Sequence, residues 1–328
     1  MLAKGVTKMS KILVKRLLSM MLQLFILGFV LFFLMTDRTA GDRWVQVGDN
    51  LVQVSYGNQN IFIGYLQWWE NVFHGNFGYT WYQGLQLLPT MEALARRLPH
   101  TLRLLSLALL IVYGIGIPLG IISGRRPGSF IDRFIQMTTQ ISASFPSFTM
   151  AYILLITFAF TLRWLPHTGT ISIEAVLREV SGFAYQVERW RHVVLPAFSL
   201  AIVQIIIPMK YLRGGIVEIS KKQFVTTAKA KGVTERNVFK KHVFASSLLP
   251  IIATFPLQLS AMISGSIIIE LIFNFQGIGG LFLGAFLGGN THVAMILALM
   301  LGAVIMLLNL IADILIMKLD PRVEFEKN

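Results

Sequence analysis

No cysteine occurs in the 328 residues, which excludes disulfides, thiolate metal sites and thiol nucleophiles. Charge is scarce as well. Asp, Glu, Lys and Arg make up 14% of the chain, where a globular domain carries about 25%. Acids are the rarer sign, 16 against 29 Lys and Arg, and the net charge is +13. So few charged side chains cannot cover a water-facing surface, which argues against a soluble enzyme. What is present is apolar: 55% hydrophobic residues and a mean hydropathy of +0.65. The chain reads as an integral, all-α membrane protein.

Catalytic signatures are missing too. There is no G-x-x-x-x-G-K-[ST] loop to cradle ATP, no H-E-x-x-H, and neither G-x-S-x-G nor G-x-S-G. The histidines at 74, 100, 167, 192, 242 and 292 are scattered, so no metal site is expected, and no cofactor either. Glu270 and Asp313 are the acids at membrane depth. Pairing with Lys or Arg at helix ends is the first expectation for both, with a proton relay as the alternative.

A bilayer core about 30 Å thick takes roughly 20 apolar residues as a helix. Apolar, nearly charge-free runs of that order lie at 17–36, 104–124, 134–162 (interrupted by Pro146), 192–209, 242–269 (Pro250 opening its apolar part) and 293–317. About six transmembrane helices result. Residues 277–289 are glycine-rich and read as a loop or a re-entrant segment. The basic residues set the orientation. Five fall in 1–16, three in 125–133, nine in 210–241 and three beyond 317, against nine on the other side. The positive-inside rule therefore places both termini in the cytoplasm, and the basic excess reflects topology rather than nucleic-acid binding.

This divides the chain into a cytoplasmic N-terminus (1–16), a first helix (17–36), an extracytoplasmic loop or cap (37–100), a membrane core (101–320) holding the cytoplasmic loop 210–241, and a cytoplasmic tail (321–328). The apolar run at 17–36 exceeds a signal-peptide h-region and lacks a cleavage site, so it reads as a retained helix. Trp68, Trp69, Trp81 and Tyr82 suit either a packed cap or interfacial anchors.

Loop 210–241 is the most informative segment. Ser220 suits an N-cap for a helix over 221–231, Gly232 a C′ residue, and Thr234 the N-cap of a second helix over 235–245. Thr226, Thr227, Ala228 and Ala230 are small enough for another surface to approach the backbone closely. Docking to a partner and lying on anionic lipid are both open on these residues alone.

Phe224-Val-Thr-Thr-Ala-Lys-Ala-Lys-Gly232, followed by His242 and Leu249-Pro250, resembles the cytoplasmic loop of binding-protein-dependent ABC transporter permeases, in the dipeptide/oligopeptide/nickel branch. Other fragments follow in order: Leu98-Pro99-x-Thr101-Leu102, Arg125-x-x-Gly128-Ser129-x-x-Asp132, Ser144-Phe145-Pro146-Ser147-Phe148, Trp164-Leu165-Pro166-x-x-Gly169, Glu270-x-x-Phe273 with Gly277-x-Gly279, Asn309-Leu310-x-x-Asp313, and Asp320-Pro321-Arg322. The resemblance implies a type I ABC importer permease fold in a bacterial or archaeal cell membrane. It implies as partners a second homologous permease that pairs with this chain as a heterodimer, two cytoplasmic ATPases, an extracytoplasmic substrate-binding protein and the lipid bilayer.

It also implies a non-catalytic role, with ATP hydrolysed by the partners and coupled through Thr227, Ala228, Ala230, Lys231, Gly232 and Glu235. Substrate would pass between two permeases, and Ser144, Pro146, Gln258, Ser260 and Ser264 are the polar or kinking positions that could line this chain's half. Thr226-Thr227 in place of Glu-Ala, Ala40-Gly41-Asp42-Arg43 after the first helix, Gln276 before Gly277, and Asn290-Thr291-His292 depart from the family pattern. Peptides are the expected cargo, with nickel or a metal chelate as the alternative. A self-contained secondary transporter would show an internal repeat, which is not seen, and a membrane enzyme is opposed by the missing motifs.

Overall fold

The structure is a computed structural model, and its described residues are 2–35, 43–47, 50–54, 60–82 and 86–319. Helix α1 (Leu2–Met35) precedes a hairpin of β1 (Arg43–Val47) and β2 (Asn50–Val54), then α2 (Ile61–Phe73). A second hairpin, β3 (Tyr79–Tyr82) and β4 (Gln86–Pro89), leads into α3 (Thr90–Arg125). Next come α4 (Phe130–Ser144), α5 (Ser147–Leu154) and a π-helical segment (Leu155–Thr161), then α6 (Ile173–Leu177), α7 (Gly182–Ile202) and α8 (Ile206–Ile219). The remainder is α9 (Gln223–Ala230), α10 (Glu235–Val238), a second π-helical segment (Phe239–Phe244), α11 (Ala245–Ser247), α12 (Leu249–Ile272), α13 (Ile278–Leu287) and α14 (Thr291–Leu319). Both hairpins are antiparallel, Arg43 facing Val54 and Tyr79 facing Pro89.

Four continuous segments are long and apolar enough to cross a membrane: Lys15–Met35, Thr90–Arg125, Glu235–Ile272 and Thr291–Ile316. Two bent pairs raise the number to six, α4 with α5 and its π segment at 99°, and α7 with α8 at 48°. The runs at 134–162 and 192–209, expected as single helices, are thus both broken, and proline explains each break. Proline disfavours helical backbone in the residue before it, and Phe145, before Pro146, is extended at φ −91°, ψ 138°. Pro208 has no N–H for the Gln204 carbonyl one turn back. That carbonyl accepts instead from the Ile207 N–H at 3.2 Å and from Gln258 Nε2 at 3.2 Å.

The chain divides into two compact units. The first comprises Met1–Pro99 and Gly280–Leu310. Its core buries Phe32, Tyr65, Trp68, Met295 and Ile296. Tyr65 satisfies its hydroxyl by donating to the Phe25 carbonyl at 2.6 Å, and Trp69 stacks on Phe25. Trp68 therefore packs as core. The side chains of Trp81 and Tyr82 lie outside the described residues, as do Ala40-Gly41-Asp42 and Asp320-Pro321-Arg322.

The second unit comprises His100–Gly279 and Ile311–Asn328. Within it Gly116, Gly120 and Gly124 form a stripe on α3 that lies directly on α8. A Cβ at Gly116 would sit 2.6 Å from Pro208 Cγ, one at Gly120 2.9 Å from Leu212 Cβ, and one at Gly124 2.9 Å from Ile216 Cβ. Small residues four apart let membrane helices meet backbone to backbone, gaining dispersion and weak polar contacts where no hydrophobic effect operates.

Three boundaries differ from the sequence expectation. Residues 2–16 continue α1 rather than preceding it. The helical segment that holds the fifth apolar run extends from Glu235 to Ile272, beginning before 242. Among the glycines of 277–289, residues Ile278–Leu287 are helical, and ten residues rise only about 15 Å, too short to cross a bilayer.

Candidate functional site

Loop 210–241 begins later than its sequence suggests. Helix α8 runs on to Ile219 and Ser220 is its C-cap, so Ser220 does not open the next helix; α9 starts after Lys222, whose side chain makes no cap bond. The end of α9 matches expectation. Gly232 has φ +79°, its N–H donates to the Lys229 carbonyl at 3.0 Å, and the Val233 N–H donates to the Ala228 carbonyl at 3.3 Å. This pair of bonds is the Schellman motif. No atom lies within 4 Å of where a Gly232 Cβ would be, so glycine is required there for its backbone conformation alone.

One side of the loop is anchored. Val225 and Val238 are buried with Leu212 and Ile216 of α8, Val243 of the second π segment and Ile251 of α12. Arg125, the last residue of α3, lies 4.5 Å from the Phe239 ring centroid in a cation–π contact. The other side is open: Thr227, Ala230, Lys231, Gly232 and Glu235 are exposed, and Ala228 is half-buried against the anchor. Phe224, which opens the recognised motif, and Val233, which follows it, are exposed apolar residues of the same segment, 49% and 38% accessible.

A polar cluster joins the α3–α4 turn to α8. Asp132 is 1% exposed and receives Arg213 Nε at 2.7 Å and Nη2 at 2.8 Å, the Gly128 N–H at 2.7 Å, Gln136 Nε2 at 2.9 Å and the Ser123 hydroxyl. Ser129 caps α4 by accepting from the Asp132 N–H at 3.2 Å. A bidentate guanidinium with additional donors is what makes a buried carboxylate tolerable. Asp132 stands in the recognised fragment Arg125-x-x-Gly128-Ser129-x-x-Asp132, but nothing in the sequence pointed to Arg213 as its partner.

A second cluster gathers three of the recognised fragments. Thr101 Oγ1 donates to Glu270 Oε1 at 2.8 Å and accepts from the Ile278 N–H at 2.8 Å. Glu270 is 1% exposed, and its carboxylate occupies the space a Cβ at Gly277 would need, while a Cβ at Gly279 would sit 2.6 Å from Ile267 Cα. Gly169, at φ +80°, donates its N–H to the Phe273 carbonyl at 2.9 Å. Residues 101, 169, 270, 273, 277 and 279 thus come together although they are far apart in sequence.

The five polar or kinking positions expected along a pathway separate. Ser144, Pro146 and Ser264 are exposed, while Gln258 and Ser260 are buried inside the chain. Gln258 fills the gap left by Pro208 and also accepts from the Tyr113 hydroxyl at 2.6 Å, and Ser260 donates to the Pro256 carbonyl of its own helix at 2.9 Å. Both side chains therefore make their hydrogen bonds within this chain. A residue grouped with the cytoplasmic loop takes their place in interest: Lys210 lies within the bent span, exposed, with Nζ donating to Gln140 Oε1 at 2.7 Å. A lysine at the centre of a lone membrane helix costs roughly 2.5–3.5 kcal/mol on insertion scales. Among the described residues no three His, Asp or Glu side chains gather as a metal site.

Comparison with known proteins agrees with this layout. Residues 116–325 match the family described as binding-protein-dependent transport system inner membrane component, and the chain belongs to it. The oligopeptide transport system permease protein AppB of Bacillus subtilis (strain 168) is 33% identical over 271 residues, 82% of this chain and 83% of that protein. A putative peptide transport system permease protein of Brucella abortus (strain 2308), BAB2_1050, is 30% identical over 90% of this chain and 94% of its own length. The fold is that of a chain in the inward-facing MetNI methionine ABC transporter, with a TM-score of 0.54 at 16% identity, covering 71% of this chain and 98% of that one. The chain is a multi-pass membrane permease of the ABC importer class.

Proposed function

We propose that this permease imports peptides, with ATP hydrolysis on partner subunits coupled through the α9–Gly232 surface. The match over residues 116–325, which spans that surface, is the observation that carries the reading. The peptide cargo is supported by relatives named for oligopeptide and peptide transport. A second homologous permease, two cytoplasmic ATPases and an extracytoplasmic binding protein complete the assembly in this reading.

Thr227, Ala228, Ala230, Lys231, Gly232 and Glu235 meet an ATPase, with Phe224 and Val233 as apolar contacts at the rim. Displacement of α9 passes through Val225 to α8, through Val238 to the second π segment, and through Arg213 to Asp132 and the α3–α4 turn. This is rigid-body motion of packed helices, for which the buried valines and the forked ion pair are suitable joints. Ser144, Pro146 and Ser264 face the passage. The division of the chain into an extracytoplasmic cap over 37–100 and a core over 101–320 belongs to the same proposal.

Uptake of a labelled peptide by cells carrying Gly232→Trp tests it, with co-purification of the partner subunits measured in parallel. Lost uptake with intact assembly is expected. Normal uptake would remove the loop as the point of transmission. A wild-type complex that accumulates nickel and no peptide would overturn the cargo.

A further inference from the structure

We propose that Lys210, with Gln140, forms a binding subsite for the carboxylate of a peptide during its passage through the membrane; this rests on the peptide-import reading above. Both side chains are exposed on the membrane segment, and both lie inside helices that belong to bent spans. The Asp132–Arg213 pair gives their depth. Gln140 lies eight residues beyond Asp132, about 12 Å farther from the cytoplasmic end of α4, whereas Lys210 precedes Arg213 by three residues, about 4.5 Å. The ammonium therefore reaches away from the cytoplasm to meet Gln140, the reverse of snorkelling to the nearer surface. Helical side chains lean towards their N-terminus, which for α8 is the extracytoplasmic end, so the direction is built into the helix.

An ammonium held at that depth against a neutral amide does not suit lipid, and an intramembrane charge of this kind marks a polar route or a partner. Lysine has three N–H donors and Gln140 Oε1 takes one. Two remain, and the Gln140 amide nitrogen supplies two more beside them. The local geometry adds room. Gly214, one turn along α8 from Lys210, has no atom within 4 Å of a Cβ position. Ser144, one turn along α4 from Gln140, donates to the Gln140 backbone carbonyl at 2.8 Å and continues the polar line. Four donors with no acidic partner among the described residues suit a carboxylate, the one group common to the C-termini of all peptides whatever their side chains.

The test uses the complete transporter in proteoliposomes and two forms of one peptide, the free acid and its C-terminal amide. The readout is the ratio of their uptake, so that any preference of the binding protein cancels between wild type and variant. Lys210→Met is expected to lower the acid-to-amide ratio about tenfold, the scale of one hydrogen bond to a charged group. Lys210→Arg is expected to keep the ratio. An unchanged ratio in Lys210→Met, or equal loss of both substrates, overturns the subsite. Failure of Lys210→Met to assemble also overturns it, and makes the lysine a structural residue. If the wild-type complex transports neither peptide, the peptide-import reading itself fails and the subsite falls with it.

Discussion

Arg213 grips Asp132 with both edges of its guanidinium, Nε to Oδ1 at 2.7 Å and Nη2 to Oδ2 at 2.8 Å, across 81 residues of sequence. The pair ties the turn between α3 and α4 to α8, the helix that leads into α9.

Truncating one side of such a pair leaves the other charge uncompensated, at about 3–5 kcal/mol in buried cases. Arg213 keeps 25% side-chain exposure, so Asp132→Ala is expected near the lower end. Arg213→Lys should lose less, because the charge stays while the fork is lost. Thermal melting of the detergent-purified complex measures both. Equal melting temperatures for wild type and Asp132→Ala would show that the pair contributes nothing to stability.

The glycine stripe makes a contrast within one helix. Gly120→Leu would drive its side chain into Leu212 Cβ and the Met209 carbonyl, 2.9 Å and 3.0 Å from the Cβ position, and is expected to abolish stable assembly. Gly114→Ala meets nothing within 4 Å and should be neutral or stabilise the helix by up to about 1 kcal/mol. Expression and size-exclusion profiles of the two variants suffice. Equal behaviour would mean that α3 and α8 do not meet as closely as described.

Thr101 serves Glu270 as donor and Ile278 as acceptor at once. Thr101→Val removes both bonds in a buried setting, with an expected loss of about 1–3 kcal/mol, while Thr101→Ser keeps the hydroxyl. Hydrogen exchange at the Ile278 amide distinguishes this from general loosening. It should accelerate in Thr101→Val and stay slow in Thr101→Ser.

Gln258 and Pro208 form a testable couple. Gln258→Leu strips a partner from the Gln204 carbonyl and is expected to cost about 1–2 kcal/mol. Pro208→Ala restores a backbone N–H one turn from that carbonyl, so Gln258→Leu should cost less in the Pro208→Ala background, the remainder being the lost bond from the Tyr113 hydroxyl. A double-mutant cycle on melting temperature gives the coupling, and additive effects would remove the assigned role of Gln258.

The spans were legible because insertion into lipid leaves a direct trace, long runs without charge, and the glycine at 232 was legible because a helix end needs a residue that tolerates positive φ. Direction was not. The polarity of Gln258 was plain, but only the fold shows that it turns inward to a carbonyl freed by Pro208. Pro146 was visible as an interruption, yet a 99° turn depends on what packs beside it. Asp132, Thr101 and Glu270 acquire their meaning from partners distant in sequence. The glycines at 116, 120 and 124 have regular spacing, but their use appears only with Pro208, Leu212 and Ile216 opposite them. Ser220 has the chemistry of an N-cap, and tertiary packing carries α8 through to it instead.

The π-helical segment at Phe239–Phe244 changes how the helix beyond it can be mapped. One extra residue in a turn rotates everything downstream by about 100° relative to a regular α-helix. A single helical wheel drawn over Glu235–Ile272 therefore puts its two ends out of phase, and a stripe assigned on one side of the segment points elsewhere on the other. An accessibility scan by introduced cysteines would show its period jump at that segment. With no cysteine of its own, the unaltered chain is already a clean background for such a scan.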